Sequence, residues 1–297
     1  MLNTYVIEGG VGKAVAFSAI IPALVKMTGE PIQLFTSYVD VFSNNPNVRW
    51  VFDMDNTKIS DNRITISDNI LCPEPYRTNF AKGEMTLIES FCELCDVKYD
   101  KKMRPKLHTD YLKKEAFTII DKIGGDFIVV QFNGGQPPVN YHPENRYNSI
   151  DPGRNYPNYL AEKVINQFKK ENPRIAVINF ALPNEPKYEG SLQVDASFGV
   201  WHELLKQSKG FISIDSSLNH LASSAGSEGV VLWGSTFMRQ FSYPENTNLC
   251  FTKKQIDKND PRNIMVDPFE VVKAINIKTK NTFKNDTLGY QSVCKAM

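Results

Sequence analysis

The stretch Gly210 to Thr236, GFISIDSSLNHLASSAGSEGVVLWGST, decides the fold. Phe211 to Ile214 is an apolar run bounded by Gly210 and reads as a buried strand. Asp215-Ser216-Ser217 is a turn of short polar side chains that supplies an N-cap, and Leu218 to Ala225 is helical, with Asn219 and His220 in its first turn. Gly226 and Gly229 break the helix before the apolar run Val230 to Gly234. A helix that opens at the carboxyl end of a parallel strand points unpaired backbone amides at the turn, the usual phosphate berth of open α/β sheets. A lone unit of this kind fits any doubly wound protein.

The same alternation extends in both directions. Upstream, strands at Phe127 to Phe132 and Ile175 to Phe180 are separated by helices at Tyr159 to Glu171 and Val200 to Gln207, and a helix at Pro268 to Ile277 closes the series. Nearer the N-terminus, Thr4 to Ile7 is a strand running into the glycine loop Glu8-Gly9-Gly10-Val11-Gly12, with a helix expected over Ala14 to Met27. Strands follow at Ile32 to Phe35 and Val48 to Phe52, with a further one at Ile64 to Ile66, then helices at Met85 to Cys95 and Tyr111 to Ile123 around a basic stretch, Lys101 to Lys106. Helices alternating with strands apolar on both faces imply parallel sheets. The expected division is residues 1–123, residues 124–285 and a polar tail at 286–297.

Composition sets the bounds. A chain of 297 residues, 41% hydrophobic and 23% charged, is long enough for two domains with separate cores. Its formal charge of +1 neither demands nor excludes nucleic acid. The five cysteines share no repeated spacing, which argues against a disulfide framework and for a reducing cytoplasm. No signal-peptide pattern and no apolar run of membrane-spanning length is present, so secretion and membrane insertion are disfavoured.

The Gly210 to Thr236 segment resembles the signature of glycosyltransferase family nine, the ADP-heptose lipopolysaccharide heptosyltransferases. Asp215, Leu218, His220, Leu221, Ala222, Gly226, Gly234 and Thr236 match it in order, while Ser216 and Ser217 stand where the family has Thr and Gly. The resemblance is weak from residue 5 to about 240 and sharp only at 211–236. It implies an α/β chain of GT-B type, two Rossmann-like doubly wound domains facing across a cleft. It also implies that Asp215, Ser216, Ser217, Leu218 and His220 bind the donor's diphosphate and ribose. Asn133 and Gly134, at the end of the first strand of the second domain, let the ligand approach the backbone. Arg154 falls on the lysine of the family's Lys-x-Trp-Pro element, where a guanidinium suits a donor phosphate; a surface arginine at a helix start accounts for it nearly as well.

The first loop carries a decoy and a departure. Glu8 to Lys13 looks like the phosphate loop of deviant Walker ATPases, but Ala14 and Val15 follow the lysine where a Mg²⁺-binding hydroxyl is required. Gly12 and Pro22-Ala23-Leu24 fit the family's small-residue loop and helix, so Gly10, Gly12 and Lys13 are expected on the acceptor side. Lys13, however, occupies the position of the family's candidate catalytic Asp, and an ammonium ion is no base unless its pKa falls by several units. Three readings stay open: Glu8, Asp40 or Glu74 is the base; Lys13 anchors an acceptor phosphate; or Lys13 only caps a solvent-facing turn.

Other signals are weaker. Asp53-Met54-Asp55 has the spacing of a metal–diphosphate triplet but sits at a strand end in the first domain, and no metal site is expected. Cys92 and Cys95 read as semi-buried thiols of one helix, and His108, His142 and His202 as incidental. The expected function is metal-independent, inverting transfer of a sugar from a nucleotide-sugar, itself a substrate rather than a cofactor. The acceptor is either a glycan or lipopolysaccharide hydroxyl or a hydroxymethylated base in DNA; Lys13 and the basic stretch mildly favour an anionic one. A catalytically silent nucleotide-sugar-binding protein and, lower, a Walker-type ATPase are the alternatives.

Overall fold

The computed structural model describes residues 3–55, 70–134, 155–181, 185–250 and 264–279. The first half builds a four-stranded sheet of β1 (Thr4–Ile7), β2 (Ile32–Thr36), β3 (Val48–Asp53) and β4 (Ile70–Leu71), in the order β3-β2-β1-β4 with every pairing parallel. Between its strands lie α1 (Val11–Phe17), α2 (Ile21–Thr28) and α3 (Val39–Phe42). Two 3₁₀ turns (Pro75–Arg77 and Asn79–Lys82), α4 (Leu87–Leu94) and α5 (Lys113–Ile123) lead to the second half.

That half is a six-stranded parallel sheet of β5 (Phe127–Gln131), β6 (Ala176–Phe180), β7 (Leu192–Val194), β8 (Phe211–Ile214), β9 (Gly229–Trp233) and β10 (Thr247–Cys250). Helices α6 (Asn158–Glu171), α7 (Phe198–Gln207), α8 (Ser217–Ala225) and α9 (Met238–Phe241) join the strands, and α10 covers 268–279. The order β10-β9-β8-β5-β6-β7 is, counted within the half, 6-5-4-1-2-3, the doubly wound Rossmann arrangement. β5, β8 and β9 are buried along their whole length, which is why they read as continuous apolar runs rather than alternating ones.

Two expectations are corrected. The helix expected over Ala14 to Met27 is two helices, because Pro22 has no N–H to continue the ladder and Ser18 turns instead to the linker, accepting the Lys106 amide at 2.8 Å. The cores are not separate. One buried cluster joins Tyr5, Phe17, Ile20 and Phe91 of the first half to Val129, Trp201, Leu218 and Trp233 of the second. A second cluster covers the opposite face of the larger sheet through Phe132, Tyr156, Val164, Ile212 and Val271. Arg104, from the basic stretch, grips both carboxylate oxygens of Glu245 at 3.2 Å, so that charge is committed to holding the linker. The strand expected at Ile64 to Ile66 and the tail from 280 lie outside the described residues.

No single helix among the described residues is long and apolar enough to cross a membrane. The bent pair α1 and α2, apolar over a comparable length, supplies Val15, Phe17, Ile21 and Leu24 to the shared core.

Candidate active site

In an open parallel sheet the crevice lies at the carboxyl ends of the two strands from which the chain departs in opposite directions. In the larger sheet those strands are β5 and β8, and in the smaller one β1 and β4. The candidate residues gather at these two crevices.

At the larger sheet, Gln131 pairs in register with Ser213, so Gly134 and Ser216, equally far along, come together. A Cβ on Gly134 would stand 3.4 Å from Ser216 Cβ and 3.4 Å from Ile214 Cδ1. Ser216 is the N-cap of α8: its Oγ accepts from the Leu218 amide at 3.3 Å and donates to Gln131 Oε1 at 2.6 Å. Ser217 is half-buried at the first helical position, whereas the Leu218 side chain is fully buried in the shared core and its amide is the one that Ser216 caps. Asn155 Oδ1 accepts from the Gly134 amide at 2.9 Å, and Asn133 Nδ2 donates to Tyr188 Oη. Those bonds fix both amide orientations and leave Asn133 Oδ1 and Asn155 Nδ2 buried with no hydrogen-bond partner among the described residues. Asp215 is buried and adds to the negative field that, after burial itself and Glu245, pushes the Tyr243 phenol pKa up.

At the smaller sheet, Lys13 in α1 forms an ion pair with Glu74, Nζ to Oε2 at 2.7 Å, the side chains 15% and 25% exposed. Gly9 has φ +93, a conformation open to glycine, and the Lys13 side chain folds back over it: a Cβ there would stand 3.3 Å from Nζ. Glu74 follows β4 and Glu8 follows β1, each the same distance along the chain beyond the paired residues Leu71 and Tyr5. Burial works to raise the Glu74 carboxyl, but the hydrogen bond from Lys13, the Tyr76 amide and the charges of Lys13 and Arg77 together hold it below its ordinary value. The neighbouring Cys72 thiol is pushed up, by burial first and then by Glu8 and Glu74. Tyr76 is 64% exposed beside the pair, with Lys13 Nζ 6.0 Å from its ring centre.

The crevices meet through two helices. α1 packs on α8 so closely that a Cβ on Gly12 would fall 2.9 Å from His220 Cδ2 and 3.7 Å from Ser217 Cα. His220 is buried there, its Nδ1 2.8 Å from Tyr243 Oη and its ring edge-on to Phe241 and Tyr243. A second bridge closes the far side: Gln240 Nε2 donates to the Phe80 carbonyl, and the Phe80 ring sits edge-on to Phe241.

Other expected positions are not brought together. Asp40 projects from the exposed side of α3, beyond β2 and away from the β1–β4 crevice. Asp53 and Asp55 form a solvated turn, the Asp55 amide donating to Asp53 Oδ1 at 2.9 Å. No metal-binding group of His, Cys, Asp and Glu occurs among the described residues. Arg154 and His142 lie outside them. Cys92 and Cys95 are fully buried rather than semi-buried, and burial raises their thiols to about 11 and about 12. His202 is a buried brace between the linker and α8, with Nδ1 2.6 Å from Thr109 Oγ1 and Nε2 3.0 Å from Ser224 Oγ; burial pushes its pKa down to about 4. Sequence reasoning missed Gln131, Asn155 and Tyr243. Of these only Asn155, beside Tyr156-Pro157 at a helix start, carried a local signal.

Two doubly wound parallel sheets whose crevices meet through facing helices define the GT-B fold of nucleotide-sugar glycosyltransferases. No protein-family model and no curated protein sequence matches the chain. Solved structures do. A glycosyl transferase family 9 structure from Veillonella parvula is similar with a TM-score of 0.69 at 11% identity, over 94% of this chain and 97% of that one. ADP-heptose lipopolysaccharide heptosyltransferase II of E. coli is similar with a TM-score of 0.68 at 13% identity, over 95% and 99%. The E. coli heptosyltransferase WaaC, solved with ADP, gives 0.60 at 10% identity, over 94% and 100%.

Proposed function

We propose that the protein is a glycosyltransferase that moves a sugar from a nucleotide-sugar to an acceptor hydroxyl, inverting the anomeric centre without a metal ion, in the cytoplasm. The observation that carries this reading is the apposition of the two crevices: Gly12, beside the Lys13–Glu74 pair, touches the α8 N-terminus at Ser217 and His220. A donor whose diphosphate lies at the α8 N-terminus by Ser217 and against Gly134 presents its sugar toward the first loop. Asp215, Ser216 and Asn133 shape that donor site, and His220 acts from behind it as packing between the helices. Arg154 remains a candidate cation for the diphosphate.

The similar heptosyltransferases point to an ADP-sugar. The acceptor is read as a glycan hydroxyl, because the similar structures are heptosyltransferases and the charges of Lys13 and Arg104 are paired with Glu74 and Glu245. The same pairing of Lys13 weakens the ATPase reading.

The test is calorimetric titration with ADP-, UDP- and GDP-sugars, the free nucleotides, and ATP with Mg²⁺, on the native protein, Asp215→Ala and Ser216→Ala. Saturable binding of one nucleotide-sugar, weakened by both substitutions, is expected. Absence of nucleotide-sugar binding, or binding of ATP alone that is lost in Lys13→Ala, refutes the reading.

A further inference from the structure

We propose that Glu74 is the group that takes the proton from the attacking hydroxyl, and that Lys13 is the positioning residue that keeps it charged and aimed. This rests on the glycosyltransferase reading above.

Three observations carry it. First, Glu74 stands at the carboxyl end of β4, directly beside β1, at the crevice where, among the described residues, the strand order of the smaller sheet reverses; Asp40, beyond β2, does not. Second, its position is rigid. Glu74 sits between Pro73 and Pro75, its Oε1 accepts the Tyr76 amide at 3.3 Å and its Oε2 the Lys13 ammonium at 2.7 Å. Third, Lys13 follows Gly12, whose Cβ position lies 3.7 Å from Ser217 Cα, so the pair stands at the edge of the proposed donor loop. Its exposed neighbour Tyr76 offers a flat apolar face of the kind that packs against a sugar ring. Glu8, at the same level on β1, adds negative charge but has no comparable clamp among the described residues.

The step balances without a further reactant. The acceptor O–H proton passes to a Glu74 carboxylate oxygen as the acceptor oxygen bonds to the anomeric carbon. The bond from that carbon to the diphosphate oxygen breaks, and its electron pair leaves with the nucleoside diphosphate. Lys13 stays protonated throughout. A basic residue at position 13 thus does by pairing what a carboxylate there would do directly.

The test uses ADP-heptose as donor with water as acceptor, because a base placed to activate a hydroxyl also activates water. ADP release and ADP affinity are measured for the native protein, Glu74→Gln, Glu74→Asp and Lys13→Met, with thermal midpoints as a check on folding. Glu74→Gln is expected to lower ADP release by about 100-fold or more, while ADP affinity stays within about threefold of native. Glu74→Asp recovers part of the activity. In Lys13→Met the acid limb of the pH–rate profile moves to higher pH, because the carboxylate loses the cation that holds its pKa down. Glu74→Gln turning over like the native protein, or an acid limb unmoved in Lys13→Met, overturns the assignment. So does a native protein that binds ADP yet releases none from ADP-heptose. A native protein that binds none of ADP-, UDP- and GDP-sugars removes the glycosyltransferase reading itself.

Discussion

Replacing Gly12 by alanine tests the contact on which the joined site depends. The added methyl would lie 2.9 Å from His220 Cδ2, about 0.5 Å inside the 3.4 Å at which ordinary van der Waals contact begins. The imidazole has nowhere to yield. It is 4% exposed, bonded through Nδ1 to Tyr243 at 2.8 Å, and edge-on to Tyr243 at 5.6 Å and to Phe241 at 6.3 Å. Either α1 moves off α8 or His220 leaves its hydrogen bond. Overpacking of this kind costs about 1–3 kcal/mol. Alanine in place of a helical glycine returns at most about 1 kcal/mol. The expected net loss therefore lies between about 0 and 3 kcal/mol, read as a lower urea midpoint at unchanged slope. Gly10→Ala is the control, because a Cβ there meets nothing within 4 Å. It is expected to stay within about 0.5 kcal/mol of native. His220→Ala removes the obstructing ring, so in a double-mutant cycle the two substitutions couple favourably by about 1 kcal/mol. Gly12→Ala more stable than the native chain, or strictly additive with His220→Ala, refutes the close apposition of the two helices.

The Glu74 carboxyl is held below its ordinary value, so its contribution to stability is fully present above the unfolded pKa and is lost as pH falls through the lower folded one. Lys13→Met is expected to cost about 1 kcal/mol at neutral pH and to flatten that acid dependence in urea titrations between pH 3 and pH 6. Ser216→Ala removes the α8 cap and leaves Gln131 Oε1 buried without its donor, a loss of about 1–2 kcal/mol measurable by thermal or urea unfolding. Gly229→Ala places a methyl 2.3 Å from the Phe211 carbonyl oxygen and 2.4 Å from its ring, between two central strands that cannot part. It is expected to cost about 3 kcal/mol or more, seen as loss of soluble protein or a sharply lowered melting temperature.

Much of the larger sheet was legible because its strands are short apolar runs separated by amphipathic helices, and burial on both faces makes such runs unmistakable at β5, β6, β8 and β9. The turn before α8 was legible for a local reason as well, since Ser216 caps the helix that begins one residue later. The short strands were not. β4 has two residues and β7 three, and neither offers a period to read. The break between α1 and α2 was signalled by Pro22 but hidden by the apolar run on either side.

The sequence by itself determined the alternation of strands and helices, hence parallel doubly wound sheets, and the small-residue loops at the strand ends. These are local matters of hydrophobic period, capping and backbone freedom. Only the tertiary structure decided that β4 lies beside β1 and so brings Glu74 onto Lys13 across 61 residues, and that α1 lies on α8 and so brings Gly12 onto His220. The physical reason is that both pairings follow from burying the facing sides of two sheets in one shared core. The cost of closing such long loops is met by the sum of many apolar contacts rather than by any single local signal.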